Sequence, residues 1–146
     1  MTGERLMLRY AIAILIIGIT VPVGLAADEP IRVRVTQRYL VARCFNGNAV
    51  DPGTRQWNVA PARVTLAFSM RSEPRSGDPA PDSGTATVSF EAETGHRYEV
   101  EIRADAATFS SRVWRANEWI PVVRDRTTDR IVSDAPRWSE AGCSER

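Results

Sequence analysis

Residues 86–102 have the sequence ATVSFEAETGHRYEVEI, in which apolar and polar residues alternate on both sides of a Glu-Thr-Gly segment. Alternation with a period of two is typical of strands that bury one face. If the two halves pair as a hairpin, the inward pairs are Ala86 with Ile102, Val88 with Val100, and Phe90 with Tyr98. Glu91 then faces Arg97 on the outside, and Gly95 takes the turn position that needs a left-handed backbone. Pattern, charge and turn residue together predict a β-hairpin.

Shorter segments of the same kind run through the rest of the chain. We predict strands at 31–35, 39–45 and 62–70, and a loop at 46–61 that contains Trp57. Farther along the chain we predict a pairing of 113–114 with 119–120, which stacks Trp114 on Trp119, and a final hairpin of 122–123 with 131–132. One helical turn is expected within 105–111. Pro121 favours an edge position or the beginning of its strand. Seven or eight short strands predict an all-β fold, an antiparallel β-sandwich of the immunoglobulin-like or transthyretin-like kind. A small β-barrel is the alternative.

The beginning of the chain has the features of a secretory signal peptide. Arg5 and Arg9 precede an apolar run at 11–26 that ends in small residues, and we place the cleavage after Ala26. This run of about 16 residues is shorter than the 18 or more that predict a transmembrane helix. We therefore predict a signal peptide at 1–26, a single domain at 27–146 and a periplasmic or secreted location. The alternative is a protein anchored in the inner membrane through residues 11–26.

Charge and composition exclude several functions. The 19 cationic residues are all arginine, and His96 is the single histidine of the 146-residue chain. Without lysine a Schiff base is excluded, and one histidine excludes a multi-histidine metal site. Removal of residues 1–26 leaves equal numbers of arginines and acidic residues, so we expect no nucleic-acid partner and only weak attraction to anionic membranes. We expect no cofactor and no membrane span after cleavage of the signal.

The two cysteines, Cys44 and Cys143, both lie in the part of the chain that we expect to be exported. Outside the reducing cytosol an even pair of cysteines predicts a disulfide. The pair is far from the spacing of a CxxC redox motif, and with one histidine it does not fill a zinc site. We therefore predict a disulfide that ties the C-terminal tail to an early strand, and no metal site.

Candidate catalytic groups are sparse. A triad of His96, Ser89 and an acid such as Glu93 lacks a nucleophile elbow, so we interpret His96 as an exposed turn histidine. Glu99 and Glu101 lie on the outer face of a strand, and the pattern predicts a solvated charged stripe rather than paired catalytic carboxylates.

The remaining polar cluster also favours a structural role. Asp125 and Asp129 are typical of a turn, and the neighbouring arginines repel a Ca²⁺ ion. We therefore predict no catalytic residues.

Two features remain as candidate binding elements. Residues 71–84 contain three Pro and two Gly and predict an exposed, mobile loop. Trp57 and Trp138 lie in segments without strand pattern, and if either is exposed it offers a surface for stacking on a sugar ring or for anchoring a protein.

The segment 88–98, together with Trp119 and the segment 123–132, resembles small exported proteins and lipoproteins of uncharacterised bacterial families. The resemblance covers about residues 85–132. In those proteins a strand, a Gly-His or Gly-Lys turn and a Tyr-bearing strand precede a Trp strand and a final hairpin. The resemblance implies a β-sandwich and an exported location, and it implies no catalytic residue. The present chain lacks the lipid-attachment cysteine of the lipoprotein members.

These observations predict a non-enzymatic, exported binding or structural module of the bacterial cell envelope. Its expected partner is an envelope protein or a glycan, and the oligomeric state stays open. One alternative is a module that binds a glycan or another small ligand through Trp57 and Trp138. The other is an inhibitor or accessory of an envelope enzyme that inserts the loop 71–84.

Overall fold

The computed structural model describes residues 29–139 and Cys143. Its strands form two stacked β-sheets. The predicted signal peptide lies outside the described residues. The elements are β1 (Ile31–Val35), β2 (Leu40–Phe45), β3 (Asn48–Ala49), β4 (Gln56–Val59), β5 (Arg63–Met70), β6 (Thr85–Glu91), β7 (Arg97–Ala104), α1 (Ala106–Ser111), β8 (Trp119–Asp125), β9 (Arg130–Ile131) and β10 (Arg137–Ser139).

Sheet A has the strand order β4-β1-β7-β8-β9, and sheet B has the order β10-β6-β5-β2-β3. All strand pairs are antiparallel except β1 with β7, which run parallel. Both sheets stay open, so the predicted β-sandwich is confirmed and the barrel alternative is wrong. The prediction of a loop over 46–61 is wrong at β3 and β4, because strands of two and four residues are too short to show alternation.

The core lies between the two sheets and consists of the inward residues of each strand. Residues from both sheets are at most 2% exposed, among them Leu66, Phe68, Val88 and Phe90 of sheet B and Val33, Tyr98, Val100 and Val123 of sheet A. The alternation seen in the sequence is therefore the alternation between core and surface.

The predicted hairpin between 86–91 and 97–102 is wrong. β6 pairs with β5 and β10 in sheet B, whereas β7 pairs with β1 and β8 in sheet A, so residues 92–96 form an arch between the sheets. Phe90 and Tyr98 do face each other, with ring centroids 4.9 Å apart, but they meet across the core. Gly95 has the left-handed backbone that we predicted, with φ of +82°.

The outward residues show why the arch replaces the hairpin. Glu91 lies opposite Arg63 on β5, with a 3.2 Å ion pair, and not opposite Arg97. The hydroxyls of Thr65 and Ser89 are 2.9 Å apart on the same outer face. A hairpin and an arch place the same residues in the core, so the alternation alone does not distinguish them.

The predicted pairing of 113–114 with 119–120 is also wrong. Trp114 lies in the connection after α1, where its backbone N–H donates to the Ser72 hydroxyl at 2.8 Å. Its ring packs against Tyr39, whereas Trp119 begins β8 and packs edge-on against Trp138 at 5.0 Å. The final hairpin of β8 and β9 is confirmed, and α1 supplies the helical turn, capped by the Asp105 carboxylate.

The disulfide prediction is confirmed: Cys44 and Cys143 are bonded, with their Cα atoms 5.4 Å apart. Cys44 belongs to β2, while β10 forms the opposite edge of sheet B. The bond therefore fixes the chain that follows β10 to a strand three positions away in the sheet.

Candidate binding cleft

Both candidate tryptophans belong to strands and are half-buried against the core. The Trp57 ring on β4 lies parallel to the Phe45 ring at 6.2 Å and meets the edge of Phe68 at 6.3 Å. Trp138 on β10 packs against Trp119. Both residues are therefore only partly exposed, and the stacking hypothesis stays a prediction.

His96 lies in the arch, but it is not the exposed turn histidine that we predicted. Its side chain is 23% exposed, and its Nδ1 lies 2.6 Å from the Asp125 Oδ2, which is buried beneath it. Its Nε2 lies 3.6 Å from the Glu93 carboxylate. The Ser89 hydroxyl bonds to Thr65, so the structure does not bring the three triad candidates together. The arrangement holds the arch against the β8–β9 turn.

The contact between His96 and Asp125 shifts the pKa values of both side chains. The hydrogen bond that the protonated His96 donates from Nδ1 to the Asp125 carboxylate raises the pKa of His96, although partial burial opposes the shift. Burial by itself raises the pKa of Asp125, but hydrogen bonds from His96 and from the β8–β9 turn outweigh it, and the net pKa is lowered. Both shifts favour the ion pair in the folded state.

We expect a pH dependence of stability from this pair. The His96 contribution is complete below the unfolded pKa of about 6.5 and is lost as the pH rises through the raised folded pKa. The Asp125 contribution is present above about pH 4 and is lost as the pH falls through the lowered pKa. The melting temperature of the wild-type protein should therefore fall as the pH rises above about 6.5, as measured by circular dichroism.

The control is His96→Gln, which removes the titrating ring but keeps a hydrogen-bonding side chain. Its melting temperature should change much less over the same pH range. Equal pH profiles of the two proteins would show that another group causes the dependence.

The predicted carboxylate stripe is on the outer face of sheet A, where both glutamates form ion pairs. Glu101 contacts Arg124 at 3.0 Å, and Glu99 contacts Arg126 at 3.6 Å. Asp129 contacts the same two arginines. Within the described residues no group of three or more His, Cys, Asp or Glu side chains could hold a metal ion.

The loop 71–84 contains no strand or helix, and both its ends are fixed to the sandwich. Near its start, the Glu73 N–H donates to the Arg112 carbonyl at 2.8 Å. At its end, the buried Ser83 hydroxyl accepts from the Met70 N–H at 2.9 Å. Residues 75–80 between these points are exposed. The two ends of the loop are therefore held against the sandwich by hydrogen bonds, and its middle part is exposed.

A cleft of about 530 Å³ lies between this loop and the outer face of sheet B. It is lined by residues of β2, the β3–β4 connection, the end of β5 and the loop: Val41, Arg43, Pro52, Gly53, Arg55, Met70, Arg71, Ser72, Ala80 and Pro81. A second hollow of about 380 Å³ shares three of these residues and adds Asp82. The first volume is in the range of small-molecule sites in proteins.

The charged groups that line the larger cleft are all cationic. Its three arginines form no ion pair within residues 29–139, and no carboxylate lines it. Arg43 donates from Nε to the Ser69 hydroxyl at 2.7 Å, and Arg55 donates to the carbonyls of two residues before β2. The Arg71 side chain has no hydrogen-bond partner among the described residues. The cleft thus combines apolar walls with guanidinium groups that form no ion pair within residues 29–139.

Comparison of the chain with protein-family models, curated proteins and solved structures finds no match. The resemblance over residues 85–132 therefore stays a prediction. Among the described residues, no helix is long and apolar enough to cross a membrane.

The sequence pattern does not predict this cleft. One signal was present, because Arg43 is the only charged residue in the apolar segment 39–45. A charged side chain in such a segment indicates a position that faces away from the core, and Arg43 is the exposed residue of β2. Arg55 and Arg71 had no comparable signal, since they lie in connections that only the folded chain brings together.

Proposed function

We propose that the protein is a non-enzymatic, exported binding module of the cell envelope, and that its ligand site is the cleft beneath the loop 71–84. The observation that carries the proposal is the set of three arginines without carboxylate partners around an apolar floor. The expected ligand is a small organic anion with a carboxylate or phosphate group and an apolar part.

The chemistry of the cleft supports this ligand class. A guanidinium group donates two parallel hydrogen bonds to a carboxylate or phosphate, and a charged hydrogen bond is stronger than a neutral one. Arg55 is held by backbone carbonyls and therefore presents a fixed charge. Val41, Met70 and the prolines offer contact area for the apolar part.

The disulfide supports the exported location, because such bonds persist mainly outside the reducing cytosol. The apolar run at 11–26 supports the same proposal from the sequence.

The test uses octanoate and phenyl phosphate as probes, with octanol and phenol as neutral counterparts. Met70 lines the cleft and is the only methionine after residue 7, so a ¹³C-methyl methionine label reports on this site directly. Octanoate should shift the Met70 methyl signal in a saturable manner, and octanol should shift it much less. Arg71→Gln should weaken octanoate binding about tenfold or more, because it removes a charged hydrogen-bond donor.

The matched control is Arg75→Gln, which removes the same charge from the exposed loop tip outside this cleft. It should bind octanoate like the wild-type protein. The proposal fails if neither anion shifts Met70, if the neutral counterparts act equally, or if the control variant weakens binding as much as Arg71→Gln.

A further inference from the structure

The outer face of sheet A is basic, although residues 29–139 as a whole contain 16 arginines and 14 acidic residues. The face presents three carboxylates, those of Glu99, Glu101 and Asp129, and six arginines, which we call the arginine face: Arg32, Arg34, Arg97, Arg103, Arg124 and Arg126. The net charge is near zero, and from it we expected only weak attraction to anionic membranes. The charged side chains are nevertheless distributed unevenly over the surface.

Most of these charges have no partner within the sandwich. Arg124 and Arg126 pair with the two glutamates, but the other four arginines form no ion pair within residues 29–139. Arg32 on β1 lies directly opposite Arg97 on the parallel strand β7, and both side chains are exposed. Like charges opposite each other destabilise a sheet, so the stability of the fold does not account for this pair.

The arginine face is continuous, because its side chains project from adjacent strands of a single sheet. Asn58 and Gln56 on β4 extend the same face beside Arg32 and Arg34 and add hydrogen-bonding amides. A continuous, exposed cationic surface can contact a layer of anions with several guanidinium groups at once. This geometry differs from that of the cleft, which admits one small molecule.

We propose that the arginine face docks the protein onto a membrane surface through the phosphate groups of anionic lipids. Guanidinium groups bind phosphate through two hydrogen bonds, and each arginine near an anionic bilayer adds to the attraction. Arg32 also follows the apolar run 11–26 by six residues, which span about 20 Å when extended. A chain that keeps this run in a membrane therefore has its arginine face within reach of the headgroups.

The experiment measures co-sedimentation of the protein, as isolated from the cell envelope, with phosphatidylcholine vesicles that contain or lack phosphatidylglycerol. The wild-type protein should bind more to the anionic vesicles, and added salt should remove the difference. Arg32→Gln/Arg97→Gln should lower the anionic partition coefficient by roughly 10- to 30-fold, about fivefold for each arginine. Its melting temperature should stay equal or rise, because the substitution removes a like-charge pair.

The matched control is Arg75→Gln/Arg137→Gln, which removes two exposed arginines outside sheet A and should bind like the wild-type protein. Equal binding to both kinds of vesicle overturns the proposal, as does an equal loss in the control variant. Alginate serves as a second anionic probe. Binding of alginate that depends on Arg32 and Arg97, without binding to anionic vesicles, also overturns the lipid assignment and replaces it with an acidic glycan.

Discussion

Removal of the disulfide should lower the free energy of unfolding by about 4 to 5 kcal/mol. Cys44 and Cys143 are 99 residues apart in the sequence, and a cross-link of that span greatly restricts the unfolded chain. Small domains have net stabilities of about 5 to 15 kcal/mol, so this loss leaves the fold marginal. The measurement is urea unfolding of the wild-type protein and of Cys44→Ala/Cys143→Ala. The slope of the unfolding free energy against urea concentration should also increase, because the unfolded chain without the cross-link exposes more surface.

The control for this prediction is the reducing agent itself. Dithiothreitol should bring the wild-type protein to the stability of the double variant, and it should leave the variant unchanged. A loss below about 1 kcal/mol would show that other contacts hold the tail in place, and that the cross-link adds little.

Trp119→Ala should destabilise the protein by about 3 to 5 kcal/mol, which is the usual cost of removing a large buried aromatic side chain. Trp119 is 1% exposed and packs edge-on against Trp138. Its Nε1 donates to the Ser83 carbonyl at 3.1 Å, where the loop 71–84 joins β6. The substitution therefore removes a core ring and the bond that holds the end of the loop.

A matched pair of tryptophans separates these two effects. Trp114 is equally buried, but its Nε1 is the one buried side-chain nitrogen or oxygen in the described part of the chain without a hydrogen-bond partner. Trp114→Phe and Trp119→Phe remove the same atoms, and only the second leaves a carbonyl unpaired. We expect Trp119→Phe to cost about 1 kcal/mol more than Trp114→Phe in urea unfolding. Equal losses of unfolding free energy in the two variants would show that Trp119 stabilises the fold through packing alone.

Local pattern was sufficient to locate the long strands and the final hairpin, and the pair of cysteines was sufficient to predict the disulfide. Local pattern failed where two folded arrangements satisfy the same pattern. The alternation over 86–102 is equally compatible with a hairpin and with an arch, and the contacts of β6 with β5 determine which one forms. Such contacts between distant segments leave no mark in a short stretch of sequence.

The candidate sites also depend on contacts between distant segments. The cleft draws its arginines from β2, from the β3–β4 connection and from the residue after β5. The opposition of Arg32 and Arg97 depends on the register of two parallel strands that are more than 60 residues apart. Composition gave the total charge, but only the arrangement of the strands shows how that charge is distributed.

The passage of the chain between the sheets has a consequence for the order of folding. Successive elements cross from one sheet to the other at β1–β2, β3–β4, β4–β5, β6–β7 and β9–β10. Each sheet therefore needs segments from both halves of the chain, and β1 acquires its partner β7 only after about 60 further residues have been made. Folds that depend on such distant pairings assemble slowly, in milliseconds to seconds. No early portion of this protein contains all the strands of either sheet, so we expect the sandwich to form only when its last strands are available.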